Sequence, residues 1–388
     1  MIVGIDASNI RQGGGVTHLV ELLHAADPQS FGFSRVVLWS GARVLGLIED
    51  RGWLVKIDHP SFERSLLHRA FWQRFRLSRA ARAAQCNVLF VVGGSFAGRF
   101  RPVVTMSRNM LPFDWREVKR FGYSWLTLKL ILLRLIQTRT FERADGLIFL
   151  TRNSRDIVWR AMRTRPRSIA IVPHGIDPRF LRAPRVQLPL GQYSAGHPFR
   201  ILYVSIVHMY KHQWNVAEAV AELRRTGMPV TLTLTGPAYP PALDRLQRTL
   251  DRVDPEREFI RYSGEVPHDV LPEHYAEHDL VLLASTCEAM PNILLEGMAS
   301  GLPVACSNRG PMPEMLGDSG IYFDPESAAD IARALRELVE YPELRARVST
   351  ASRARAQAYS WRRCSDETFR FLAGIAAGGC ELGKKTSA

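Results

Sequence analysis

The 388 residues exceed what one ordinary hydrophobic core organises, so two domains are expected, and 46% hydrophobic with 23% charged residues excludes a disordered chain. Five dispersed cysteines (Cys86, Cys287, Cys306, Cys364, Cys380) with no Cys-x-x-Cys pair argue against a disulfide framework or a zinc–cysteine site and fit a reducing compartment. The net charge of +13 is uneven: residues 1–190 hold 30 Lys+Arg against 13 Asp+Glu (+17), residues 191–388 hold 21 against 25 (−4), so the first half is expected to meet an anionic surface or substrate.

Met1–Asp6 has neither the basic nor the long apolar region of a secretory signal, and none is expected. Ile2 to Ile5 reads as a strand, Gly13-Gly14-Gly15 as a loop, and Val16, Leu19, Val20, Leu22 and Leu23 as one face of a helix. Short β-branched or leucine-rich runs at 36–39, 54–57, 88–92, 103–106, 146–150 and 169–172 read as further parallel strands, buried on both faces. Residues 64–82 interleave Leu66, Leu67, Phe71, Trp72 and Phe75 with six arginines. That pattern suits a helix lying on an anionic membrane surface as well as one covering the first sheet. Phe121 to Ile136 is apolar but carries Lys129 and Arg134. It is too interrupted to span a bilayer, and core packing is the expectation.

A Pro/Gly-rich, aperiodic stretch at 183–198 reads as the linker. A second alternation follows, with strands at 200–205, 230–235, 259–263, 280–284 and 304–307. Helices are expected near 214–225, 240–252, 270–277, 292–300 and 326–340. Two doubly wound α/β domains are therefore expected, with ligands beyond the carboxyl ends of the strands and the interdomain cleft as the default site.

The most informative stretch is Ser285 to Pro303. A strand ends near Ala284, Pro291 suits the first helical position or Asn292 caps it, and Gly301 and Pro303 stop the helix. Glu288 then sits on the strand-to-helix loop and Glu296 in the first turns of the helix. Two carboxylates beside a helix N-terminus suit a ligand with hydroxyls and a phosphate.

This stretch resembles the E-x7-E signature of retaining GT-B glycosyltransferases of family 4 (glycosyl transferases group 1). The resemblance continues through Ser307–Glu314 and Gly320–Pro325. It includes Ile171–Asp177, Ser263–Pro267 and Tyr359–Trp361, and the first half joins it only through the glycine loop and strand pattern. It implies an acceptor-binding domain at 1–185, a linker at 186–198, a nucleotide-sugar-binding domain at 199–357 and a helix at 358–378 returning to the first domain. Carried over, Glu288 contacts the donor sugar, and Lys211 neutralises the departing diphosphate. Glu296 holds the ribose, and Met290, Asn292, Ile293, Gly14, Gly15 and Val266 complete the donor site. The chain departs from the family where an arginine usually precedes the lysine. Lys211 alone, or helped by His208 or Arg309, is the expectation there. Arg108 or Asn109 stands where the family has an N-domain histidine, with His174 the nearest substitute by motif; these three are the acceptor-side candidates.

The resemblance favours same-face retention. The chain has no Asp-x-Asp motif and no metal-ligand spacing, so no metal and no cofactor are expected beyond the nucleotide-sugar substrate. The acceptor is expected to be a glycan or polyprenyl-linked glycan of bacterial polysaccharide synthesis (O-antigen or exopolysaccharide). The expected location is cytoplasmic, with a peripheral place on the inner face of the membrane. Nucleic acid is not expected, because the basic half lacks a recognition motif. The alternatives are a non-catalytic nucleotide-sugar-binding subunit and a nucleotide-sugar epimerase of the same fold.

Overall fold

The first apolar run forms strand β1 (Ile2–Asp6), an interior strand of its sheet, as its run of buried apolar side chains requires. The computed structural model describes residues 1–378, so Cys380 lies outside the described residues. Flanking β1 are β2 (Arg35–Trp39), β3 (Leu54–Ile57), β4 (Val88–Val91), β5 (Val103–Ser107), β6 (Gly146–Phe149) and β7 (Ser168–Ile171). All pair in parallel, in the order β3-β2-β1-β4-β5-β6-β7, with Val3 opposite both Val36 and Val88. Strands β4, β5 and β6 are buried along their whole length, whereas the edge strands β3 and β7 are only partly covered.

The second sheet holds β8 (Phe199–Val204), β9 (Val230–Thr235), β10 (Ile260–Tyr262), β11 (Leu280–Leu283), β12 (Val304–Ser307) and β13 (Ile321–Phe323). It is also parallel, in the order β10-β9-β8-β11-β12-β13. Strand β13 was not among the expected strands; two of its three residues are only partly covered and it follows a glycine-bounded turn, so no extended apolar run marks it. In both sheets the order reverses beside the first strand, between β1 and β4 and between β8 and β11, and such switch points hold ligands at their carboxyl ends.

The chain divides into two units. Unit 1 comprises Met1–Val118, Tyr123–Gly175 and the chain from Ser360; unit 2 comprises Lys119–Gly122 and Ile176–Tyr359. The expected linker is not a free tether but part of unit 2. The buried guanidinium of Arg345 donates to Gln187 Oε1 (3.0 Å) and to the carbonyl oxygen of Leu188, as well as to those of Leu338 and Val339. The helix Trp361–Ala376 lies in unit 1, against the helix Gly14–His24 and β4.

One expectation fails. The segment Phe121 to Ile136 does not pack into the core. Within the helix Trp125–Arg143, Trp125 is 79% exposed, and Leu128, Leu132, Leu135 and Ile136 are all exposed. Its apolar residues run all round the helix, so the narrow buried stripe of Leu130, Gln137, Thr140 and Phe141 uses only a few of them. The 66–83 helical run divides differently. Arg69, Trp72, Gln73, Leu77 and Ala81 are buried beneath it, while Leu66, Leu67, Phe71 and Phe75 face outward. Among the described residues no helix is long and apolar enough to cross a membrane.

Candidate functional site

Strands β8 and β11 are neighbours at the switch point of unit 2, so the loops that leave them emerge side by side. The loop after β8 carries Lys211 into the helix Gln213–Arg225; the loop after β11 carries Glu288 into the helix Asn292–Ala299. Two contacts tie the loops together. Thr286 N donates to Tyr210 O (2.9 Å), and His212 Nε2 lies 3.2 Å from Thr286 Oγ1. His212 starts its helix at φ +50°, a strained geometry for a non-glycine residue that this anchoring holds in place. Tyr203 OH donates to Lys211 O (2.7 Å) from below.

Lys211 Nζ, which is buried, and Glu288 Oε1, which is partly buried, form an ion pair. Each thereby offsets the cost of holding the other's charge away from water. His208 stacks on Tyr239 (centroids 4.9 Å apart), and its pKa is pushed down to about 4 by burial and then by the Lys211 charge. It is neutral near pH 7 and supplies no second cation. Arg309 directs its guanidinium to Asp324 (3.1 Å).

Glu296, 6% exposed, accepts from Tyr275 OH (3.1 Å) through Oε2, and His268 Nε2 stands 3.4 Å from Oε1. That hydrogen bond to Glu296 is the main reason the His268 pKa lies above its ordinary value. Burial, then the neighbouring carboxylate, pushes the Tyr275 phenol well up, so it stays a donor. Sequence reasoning missed both residues. His268 had a signal, since it directly follows the Ser263–Pro267 motif; Tyr275 had none, because it is a tyrosine on an ordinary amphipathic turn.

The helix start differs slightly from expectation. Pro291 is the N-cap and Asn292 the first helical residue, so the backbone N–H groups of Asn292 and Ile293 fall in the first turn, where no preceding helical carbonyl accepts them. Asn292 Oδ1 is buried without a hydrogen-bond partner among the described residues. Gly297 lets the helix press on β11: a Cβ there would lie 2.8 Å from Val281 Cγ1. Met290 is buried beside this turn. Val266 instead lines a groove with Thr233, Arg261, His274 and His278.

The remaining candidates lie in unit 1. Gly13, at φ +69°, turns the chain into the helix Gly14–His24. Gly14 and Gly15 are thus its first residues rather than an open loop, and the Arg108 guanidinium donates to their carbonyls (2.5 and 3.4 Å). His174 Nδ1 meets His18 Nδ1 at 2.9 Å, so the two rings are opposite neutral tautomers, one donating and one accepting. Burial, then Arg108, lowers the His174 pKa to about 3, and burial alone brings Arg108 down to about 10. Arg108, His174, Gly14 and Gly15 therefore form one cluster. Asn109 is exposed, and its Oδ1 accepts from Leu111 N (3.1 Å) in a local turn. Among the described residues no group of three or more His, Cys, Asp or Glu side chains is placed to hold a metal ion.

Residues 12–180 match the model of Glycosyltransferase Family 4, and residues 198–341 match that of Glycosyl transferases group 1. The chain belongs to the family 4, group 1 glycosyltransferases. The O-antigen chain mannosyltransferase B of Escherichia coli is 29% identical over 189 residues, 48% of this chain and 49% of that protein. The chain spans about half the length, or less, of the first curated relatives it matches. Among solved structures, Anabaena HepE in complex with UDP and glucose superposes with a TM-score of 0.69 at 16% identity, covering 97% of this chain and all of that one. WaaG, a glycosyltransferase involved in lipopolysaccharide biosynthesis, gives 0.70 at 16% identity, over 96% of this chain and all of that one. These likenesses establish the fold: two parallel-sheet α/β units of GT-B type.

Proposed function

We propose that this family member transfers a hexose from a nucleotide-diphosphate sugar, with retention, to a glycan or lipid-linked glycan acceptor in bacterial polysaccharide synthesis. The observation that carries the reading is the largely buried Lys211–Glu288 pair at the switch point of unit 2, next to the N–H groups that open the helix Asn292–Ala299. An arriving diphosphate competes with Glu288 for the ammonium group. The lysine then holds the leaving-group charge, and Glu288 is released to accept hydrogen bonds from sugar hydroxyls. The first helical turn adds N–H donors aimed at the same anion. Glu296, held by Tyr275, accepts from the ribose hydroxyls.

Retention follows if the acceptor hydroxyl attacks on the face the diphosphate leaves, passing its proton to a departing phosphate oxygen. The new glycosidic bond forms as the sugar–phosphate bond breaks. Charge is then carried by Lys211 and the helix end, without a metal ion. The neighbour that binds UDP and glucose and the O-antigen relative are consistent with this donor and acceptor chemistry.

The same reading places the protein peripherally on an anionic membrane, at its inner face. Support comes from the exposed Trp125, Leu128, Leu132 and Leu135 on one helix and Leu66, Leu67, Phe71 and Phe75 on another, both in the unit with the excess of arginine.

The test is a thermal-shift screen of UDP-, GDP- and dTDP-sugars, followed by NMR of the product formed with the best donor. An α-donor giving an α-linked product is expected, with activity lost in Glu288→Gln. An inverted product, or full activity without Glu288, would overturn the mechanism.

A further inference from the structure

A second carboxyl-edge feature lies in unit 1, lined by none of Arg108, His18 and His174. The segment after β1 (Ser8 to Gln12), the turn after β2 (Gly41, Arg43, Val44) and the start of the 66–83 helical run enclose a pocket of about 510 Å³. That volume is in the range of small-ligand sites. Three guanidinium groups line it, those of Arg11, Arg43 and Arg69, against one lining carboxylate, Glu63. The lining therefore carries two uncompensated positive charges (three minus one).

The distribution of partners is the informative part. Glu63 is taken by Arg11, at 3.5 Å. Arg43 and Arg69 have no ion-pair partner among the described residues. Arg69 is only 9% exposed, and its Nε is buried with no hydrogen-bond partner among them. Burial, then repulsion from Arg11, disfavours its charged form, and the attraction of Glu63 offsets only part of this. Asp6 lies behind the wall but is turned to Gln73 Nε2 (2.6 Å) and Ser8 N (3.1 Å). A folded chain that gathers three like charges around one carboxylate and buries one of them leaves a cost that an external anion offsets.

We infer that this pocket binds a phosphoryl dianion carried by the acceptor, so that the acceptor is a phosphorylated sugar or a diphosphate-linked glycan rather than a neutral saccharide. Two forked guanidinium groups, Arg43 and Arg69, grip the phosphoryl oxygens, and Arg11, restrained by Glu63, closes the third side. The inference rests on the transferase reading for the word acceptor, and on the pocket alone for the anion.

The two parts are tested apart. Calorimetry with glucose 6-phosphate, farnesyl diphosphate in micelles and neutral glucose is run with the nucleotide site saturated by the best-stabilising nucleoside diphosphate. Phosphoryl ligands are expected to bind and glucose not. Arg43→Gln, an exposed position that tolerates change, should weaken phosphoryl binding about tenfold. Glu63→Gln, also exposed, should tighten it. Preference for glucose 6-phosphate would assign a free sugar phosphate, and preference for farnesyl diphosphate a lipid-linked acceptor. Equal phosphoryl affinity in wild type, Arg43→Gln and Glu63→Gln would overturn the inference. Failure of UDP, GDP and dTDP alike to stabilise the protein counts instead against the transferase reading.

Discussion

The two units use one architecture to opposite electrostatic ends. At the switch point of unit 2, cation and anion neutralise each other: Lys211 faces Glu288, and Glu296 takes a tyrosine hydroxyl. At the carboxyl edge of unit 1, three guanidinium groups collect around a pocket against the single carboxylate of Glu63, which pairs with Arg11 and acts on Arg69 only from a distance. A paired site loads by exchange, since the ligand must displace one partner; an unpaired site loads by adding the missing charge. The contrast suits a donor whose diphosphate has to be both gripped and released, and an acceptor that has only to be held.

The sharpest way to break this comparison is Lys211→Ala. It strands the Glu288 carboxylate and removes the cation proposed to carry the leaving group. Transfer should fall about 10²–10³-fold, the scale of losing one preorganised electrostatic group. A rate near wild type would mean the pair is structural. Glu296→Gln should weaken nucleotide binding about tenfold in calorimetry while leaving phosphoryl binding in unit 1 untouched. An equal loss at both would mean the variant had damaged the fold.

The two exposed apolar helix faces lie in unit 1. Phe71→Asp and Leu132→Asp should each lower partitioning onto anionic vesicles by about tenfold, read by flotation, with solution activity on a soluble acceptor retained. Unchanged flotation would remove the membrane from the reading.

The smallest effects are in pH. His174 is buried neutral with its pKa near 3, so below the unfolded value of 6.5 the unfolded chain binds the extra proton. Stability should fall as pH drops from 6.5 toward 3, and His174→Asn should flatten that slope in urea titrations. His268 has the opposite sign. Its raised pKa means that its interaction with Glu296 is present in full below pH 6.5 and is lost as pH rises through the folded value. Because the protonated ring competes with ribose for Glu296, nucleotide affinity should rise about threefold over that range and become pH-independent in His268→Ala.

Much of this was legible before the fold. Strand runs such as Val88–Val91, Gly146–Phe149 and Leu280–Leu283 appear where their composition places them, because short, doubly buried parallel strands have no polar positions to blur the pattern. The loop position of Glu288 and the helical position of Glu296 followed from Pro291 and Gly301 as helix boundaries. The helix Trp125–Arg143 was misjudged because apolar content reports hydrophobicity but not what covers it. Tyr275 was invisible, since its role depends on a neighbour 21 positions away.

By itself, then, the order of residues determined the alternation of strands and helices, the family and the candidate carboxylates, all of which rest on short-range spacing. The tertiary structure decided which charges meet. Lys211 finds Glu288 across 77 positions, and Arg69 comes to lie near Arg11 with the two sharing one acid, Glu63. Pairing of charges depends on distance in space and on exclusion of water, and a parallel sheet sets both by joining segments that are remote along the chain.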